Sequence, residues 1–320
     1  MHFKTRFLLK HLIRPLKVES DFAELAAMLD RVLTNGMTVS NLRAGAKSVV
    51  PLNRTMIAVN DAAVIVGWSV MRRTENEPET RAFTSLVVHP EYRQKGIGTA
   101  LIEDVLTHAR PIGITELKSR VKDSEPAWLA WAESKGFKIE RHQFRSSVTL
   151  SEFDESLFVN RIAELEAVGI TFTTLAELGD TDENRKKYYE TDIAAAPDIP
   201  GEDYFESWRE YEAELFAHEE YRPEGAHLAL DGDRMVGVAH VFLDSEHDRM
   251  ENAFTGVLRD YRGRGIAQAL KVRTIMYAKQ SGVSKILTEN DSVNAPILAV
   301  NKKLGYKRWP GVYGLKAMLG

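Results

Sequence analysis

The stretches EYRQKGIGTALI (91–102) and DYRGRGIAQALK (260–271) are near copies set 169 positions apart. Each puts Tyr-Arg ahead of a glycine turn that opens an apolar-periodic run. Two more landmarks recur in the same order. AVNDAAVIVGWSVM (58–71) and LALDGDRMVGVAHV (228–241) both read as strand, tight polar turn and strand, while SKGF (134–137) and KLGY (303–306) repeat further on. Three landmarks at a spacing of 169 or 170 indicate a duplicated domain of roughly 150 residues. The expected layout is a first domain over 1–150, a connecting helix over 151–168 and a second domain over 169–320. Phe158, Ile162, Leu165 and Val168 give the connector its helical spacing, and Gly169 ends it.

Within each copy, helices alternate with strands: an opening strand, one or two helices, a hairpin, a strand into the glycine turn, a helix, a strand, a helix and a last strand. That order predicts an α/β (α+β) class with a mixed sheet flanked by helices. Ile97, Leu101 and Val105 share one face of the helix after the first turn, and Ile266, Leu270 and Tyr277 one face after the second.

A net charge of −4 gives no global basic field, which argues against nucleic acid or an anionic membrane as partner. The absence of cysteine excludes thiol nucleophiles, thiolate metal sites and disulfides. No His pair or carboxylate cluster has metal-ligand spacing, so no metal is expected. Basic residues interrupt the first 17 positions, no export signal is apparent, and no apolar run reaches membrane-span length. A cytoplasmic location is the expectation.

A glycine turn between a strand and a helix is an anion site, because first-turn N–H groups lack internal partners and glycine lets a phosphate approach the backbone. The dinucleotide fingerprint needs a third glycine where this chain has Leu101 and Gln268, and the phosphate loop needs Gly-Lys-Ser/Thr, absent from both copies. The turns read Arg93-x-x-Gly96-x-Gly98 and Arg262-x-x-Gly265-x-Ala267. With the short strands FTSLVV and AFTGVL before them, they resemble the cofactor turn of the GNAT superfamily of acyl-CoA-dependent N-acyltransferases. LIRPLKVESDFAELAAML (12–29) and KKLGYKRW (302–309) resemble that family's opening and closing elements.

The resemblance implies two tandem GNAT-fold domains and acetyl-CoA as cofactor. Its diphosphate would lie on Arg93, Gln94, Lys95, Gly96, Ile97, Gly98 and Thr99 in copy one, and on Arg262, Gly263, Arg264, Gly265, Ile266 and Ala267 in copy two. Its pantetheine arm would pair with strand backbone ending at Val88 or Val257. Thr288, Asn290, Asn294 and Asn301 resemble an asparagine-bearing cofactor motif that copy one lacks, and Asn294 before Ala295-Pro296 also reads as a helix cap.

Glu251 stands six residues before Val257, on the same strand face unless a bulge intervenes, with Ala82 as its counterpart in copy one. It is either the base such enzymes carry near the acetyl group or a surface carboxylate. A base matters, because deprotonating an alkyl amine at pH 7 costs about 4–5 kcal/mol, whereas releasing an unprotonated thiolate costs about 2 kcal/mol. The family's general-acid tyrosine corresponds to Ala132 and Asn301, so the acid is unidentified. Asp198, Phe205 and Trp208 are acceptor-site candidates, with core packing as the other reading of the two aromatics. His89, at the first strand's end, is either a base or structural. With these residues, the resemblance implies a small-molecule N-acetyltransferase working by direct attack in the second copy; the alternatives are a non-catalytic acyl-CoA-binding or sensor protein and an interaction protein with relic sites.

Overall fold

The computed structural model describes residues 12–17, 19–33, 37–198 and 207–320. The chain divides into two compact units, one of residues 1–140 with 313–320 and the other of residues 141–312. In chain order, the first copy of the repeat forms β1 (Leu12–Pro15), α1 (Phe22–Asp30), α2 (Val39–Lys47), β2 (Leu52–Val59), β3 (Ile65–Arg73), β4 (Arg81–Val88), α3 (Ile97–Ala109), β5 (Glu116–Lys122), α4 (Pro126–Ser134) and β6 (Lys138–Thr149). The helix α5 (Ser156–Ala167) connects to β7 (Ile170–Thr174), α6 (Leu175–Leu178), α7 (Asp182–Ala195), α8 (Trp208–Tyr211), β8 (Ala226–Asp231) and β9 (Arg234–Asp244). Then come β10 (Arg249–Val257), α9 (Ile266–Gln280), β11 (Lys285–Asp291), α10 (Ala295–Lys303) and β12 (Lys307–Met318).

In the first unit β1 to β4 form an antiparallel run, and β5 joins β4 in parallel. Period-two alternation sends Ile57 and Val59 to one face, against Phe22, Leu25 and Leu29 of α1, and Ala58 to the other, against Ile97 and Leu101 of α3. The second unit repeats the plan. β7 to β10 are antiparallel, β11 joins β10 in parallel, and β6 lies antiparallel on β11. Ala229 and Ala239 face α9, while Leu228 and Val238 face the aromatic cluster of α7 and α8.

The units divide inside the last strand of each copy, not at the repeat boundary. Hydrogen bonding decides this: from Gln143 to Thr149, β6 takes β11 as its partner, so those residues belong to the second unit. The chain's end lies with the first unit, where Leu319 N–H donates to Thr115 O at 2.8 Å and Lys316 pairs with Glu116 at 3.0 Å.

In both units the parallel pair is short. β4 meets β5 only from Arg81 to Phe83, and β10 meets β11 only from Arg249 to Asn252. Beyond those points the strands part, and the glycine turn stands at the open end.

Candidate active site

The repeated Tyr-Arg holds each turn in place. Tyr261 donates its hydroxyl to Asp231 at 2.8 Å, in the hairpin turn of its own copy, and Tyr92 accepts from the Asn60 amide at 3.2 Å. Arg262 Nε donates to the last strand carbonyl, Val257 O, at 2.9 Å, as Arg93 does to Val88 O at 3.2 Å. These two guanidiniums therefore tie turn to strand. Lys95 and Arg264 ride over the Tyr92 and Tyr261 rings at 4.8 and 4.7 Å. Gly96 and Gly265 start their helices at φ of 86° and 90°, a left-handed conformation that a side chain would strain.

In the second unit the parted strands enclose a cavity of about 750 Å³. The β10 segment from Ala253 to Val257 forms one wall, residues of β11 and the start of α10 the other, and Gly263, Gly265, Ile266 and Ala267 the turn end. Asn294 lines it and also caps α10, its side chain accepting from Ile297 N–H at 3.5 Å. Asn290 lines it as well, donating to Ser146 and accepting from the Asn301 amide at 2.7 Å. Asn301 is buried behind it, 3 % exposed.

Glu251 borders the cavity and is engaged by two guanidiniums, Arg249 at 3.2 Å and Arg145 at 3.4 Å. The expectation that it shares a face with Val257 is overturned. A bulge at Ala253 shifts the register between Asn252 and Phe254, so Glu251 faces the α7 side and Val257 the α9 side. The same extra residue moves its counterpart: Glu251 pairs with Phe242 where Phe83 pairs with Arg72, so Phe83 takes Ala82's place in the comparison.

Of the acceptor candidates, Phe205 lies outside the described residues. Asp198 ends a short 3₁₀ turn after α7. Trp208 packs edge-on against Tyr189 at 5.5 Å and beside Phe216, within the aromatic cluster. His89 caps the turn before α3, Nδ1 accepting from Glu91 N–H at 3.3 Å.

Aromatic side chains occupy the corresponding place in the first unit. Trp131 and Trp128 stand where copy two has Val300 and Ile297, both cavity-lining. A Cβ on Gly98 would meet the Trp131 ring at 3.3 Å, and Arg93 stacks over Trp128 at 5.2 Å. The two indoles lie against the turn that would hold a diphosphate.

Two cationic side chains at the second site escaped the sequence reading. Arg161 of α5 donates to the Arg264 carbonyl, bringing a guanidinium to the turn. Lys271 of α9 lines the cavity yet is 1 % exposed. Its Nζ donates to Asn252 Oδ1 at 2.6 Å and sits 4.9 Å from the centre of the Tyr306 ring. Burial without a counter-charge pulls it down to about 7. The repeat held the signal: Lys271 aligns with Ile102, a core residue of the first unit.

In the second unit, then, a glycine turn at a helix N-terminus opens onto a cavity walled by parted strands. The profile of the acetyltransferase (GNAT) family matches residues 42–137 and 178–306, and the chain belongs to that family. It is an acyltransferase of two tandem GNAT folds. A mycothiol acetyltransferase of Arthrobacter sp. (strain FB24) is 24 % identical over 92 % of this chain and 92 % of its own. Another, from Saccharomonospora viridis, is 24 % identical over 77 % of each. Among solved structures, a GCN5-related N-acetyltransferase from Sphaerobacter thermophilus superimposes with a TM-score of 0.64 at 17 % identity, covering 97 % of this chain and 96 % of that one. A tandem GNAT protein from the clavulanic acid biosynthesis pathway gives 0.59 at 17 %, covering 97 % and 99 %. No helix among the described residues is long and apolar enough to cross a membrane.

Proposed function

We propose that the second unit binds acetyl-CoA between β10 and β11 and transfers its acetyl group to the primary amine of a small molecule. The observation that carries this reading is the continuity of the cavity from the α9 N-terminus, along unpaired strand backbone, to the fork where the strands rejoin. First-turn N–H groups at Ile266 and Ala267, with Gly263, Gly265 and the nearby Arg161, hold the diphosphate. Backbone of Ala253 to Val257 pairs with the amides of the pantetheine arm, as an added strand would. The co-substrate supplies an acetyl group activated as a thioester.

Glu251 takes the proton that the amine must lose, directly or through a water molecule, and strand N–H groups polarise the thioester carbonyl. The α7–α8 side, with Trp208 at the start of α8 and Asp198 next along the chain after α7, receives the acceptor. Two relatives' names, mycothiol acetyltransferase, make their acceptor the first to try. The first unit completes the fold, with Trp131 against Gly98 and Trp128 under Arg93 beside its turn.

Calorimetric titration of acetyl-CoA tests the reading. One saturable site per chain is expected, lost in Ala267→Glu, whose carboxylate suits a helix N-terminus but repels a diphosphate. An acceptor panel then follows free coenzyme A with a thiol reagent, to which this cysteine-free chain contributes nothing. No binding by the wild-type protein overturns the proposal. Binding without turnover on any amine makes the protein a carrier or sensor.

A further inference from the structure

The fork of the second site holds a polar pair that the first unit lacks. Asn252 is the last β10 residue paired to β11, opposite Thr288, whose hydroxyl donates to Asn252 O at 3.1 Å. Lys271 reaches Asn252 Oδ1 from α9. Strand pairing places Thr84 where Asn252 stands, and helix spacing places Ile102 where Lys271 stands. An ammonium buried at the end of a cavity costs stability, and the duplicate fills the same position with a core aliphatic. The charge therefore serves the cavity.

Dimensions put that charge at the reacting end. The pantetheine arm from diphosphate to sulfur is a chain of about twelve bonds, as long as about four extended residues, roughly 14 Å. Four residues back from Val257, beside the turn, is Ala253. The sulfur of a bound thioester thus falls next to Asn252 and Lys271. An ammonium carries three protons: one goes to Asn252, the Tyr306 ring lies beside the group, and the cavity lies ahead.

We infer that Lys271 is the general acid of the transfer, protonating the coenzyme A sulfur as the thioester breaks. The acceptor nitrogen forms its bond to the acetyl carbon, and the carbon–sulfur bond breaks with its electron pair left on sulfur. A Lys271 proton makes the S–H bond. The neutral amine regains a proton from the one released by the acceptor, so the net change is ammonium plus thioester to amide, thiol and one proton. Lys271's depressed affinity for its proton suits donation near neutrality, since an ordinary lysine holds it too tightly. Asn252 orients the group, and Asn301, at the helix position facing this region, has no proton of comparable acidity to give.

This inference rests on the proposed transfer reaction, and the experiment separates the two. Lys271→Met is compared with the wild type for acetyl-CoA affinity by calorimetry, for turnover of acetyl-CoA and of its selenoester analogue with the best amine of the panel, and for intact mass. The expectation is affinity within threefold, acetyl-CoA turnover reduced about 100-fold or more, and a much smaller loss with the selenoester, whose leaving group departs without a proton. Equal losses with both esters, or unchanged turnover, overturn the acid role while leaving the transfer reaction standing. An acetyl group recovered on wild-type Lys271 also overturns it, because an amide nitrogen cannot return the proton. If the wild type turns over neither ester, the proposed function falls and the inference falls with it.

Discussion

Replacing Lys271 with methionine should make the protein more stable at neutral pH. The folded state lowers this lysine from 10.5 to about 7. Between those values the unfolded chain holds a proton that the folded chain does not, so wild-type stability rises with pH across that window; below pH 7 both states are protonated and the full cost of burial remains. At about 1.4 kcal/mol per pH unit, the cost is about 4 kcal/mol at pH 7, about 3 kcal/mol at pH 8.5 and near zero above pH 11. Methionine removes that cost and forfeits the Asn252 hydrogen bond, worth about 1 kcal/mol, although Asn252 Oδ1 still accepts from Thr255. The net gain at pH 7 is about 3 kcal/mol, roughly 6–12 °C in melting temperature for a domain of this size. Urea titrations of both proteins at pH 7, 8.5 and 10 measure it. A gain that shrinks as pH rises agrees with the reasoning. A difference independent of pH, or a variant less stable at pH 7, would refute it.

Three other outcomes follow from the same geometry. His227 and His240 are buried and held down to about 3, against an ordinary 6.5, so stability is complete above pH 6.5 and drains as pH falls toward 3. Each should cost about 2 kcal/mol by pH 5, and His240→Phe should remove about half of that acid sensitivity in urea titrations at pH 7 and 5. Arg161→Ala should weaken acetyl-CoA binding about threefold to tenfold and flatten its salt dependence, read by calorimetry at two ionic strengths, because one guanidinium leaves the diphosphate end. Glu251→Gln should lower turnover about 100-fold with acetyl-CoA affinity unchanged; unaltered turnover would return Glu251 to its two arginines as a structural ion pair.

Much of the site was legible because its logic is local. A strand, a glycine turn and a helix placed Val257, Gly265 and Ala267 together, since such a turn is made by consecutive residues. Asn294 was readable as the α10 cap, because a cap depends on its immediate neighbours. Glu251 was different. One inserted residue, Ala253, turned its side chain to the opposite face, and a single-residue bulge leaves no mark on an otherwise regular alternation. Lys271 was visible as a mismatch with Ile102 in the repeat, but a lone lysine in a helix ordinarily reads as solvent-facing.

The sequence by itself determined that the chain carries a duplicated α/β unit, where each turn falls, and which chemical family those turns resemble, because repeats and turn chemistry are written in short stretches. Tertiary structure decided the rest. It set Trp131 and Trp128 beside the first turn where Val300 and Ile297 line the cavity of the second. It paired the end of β6 with β11 in the second unit and set the end of β12 with the first. It also gave Lys271 its weakened hold on a proton, which depends on what is packed around an amine and not on the residues beside it in the chain.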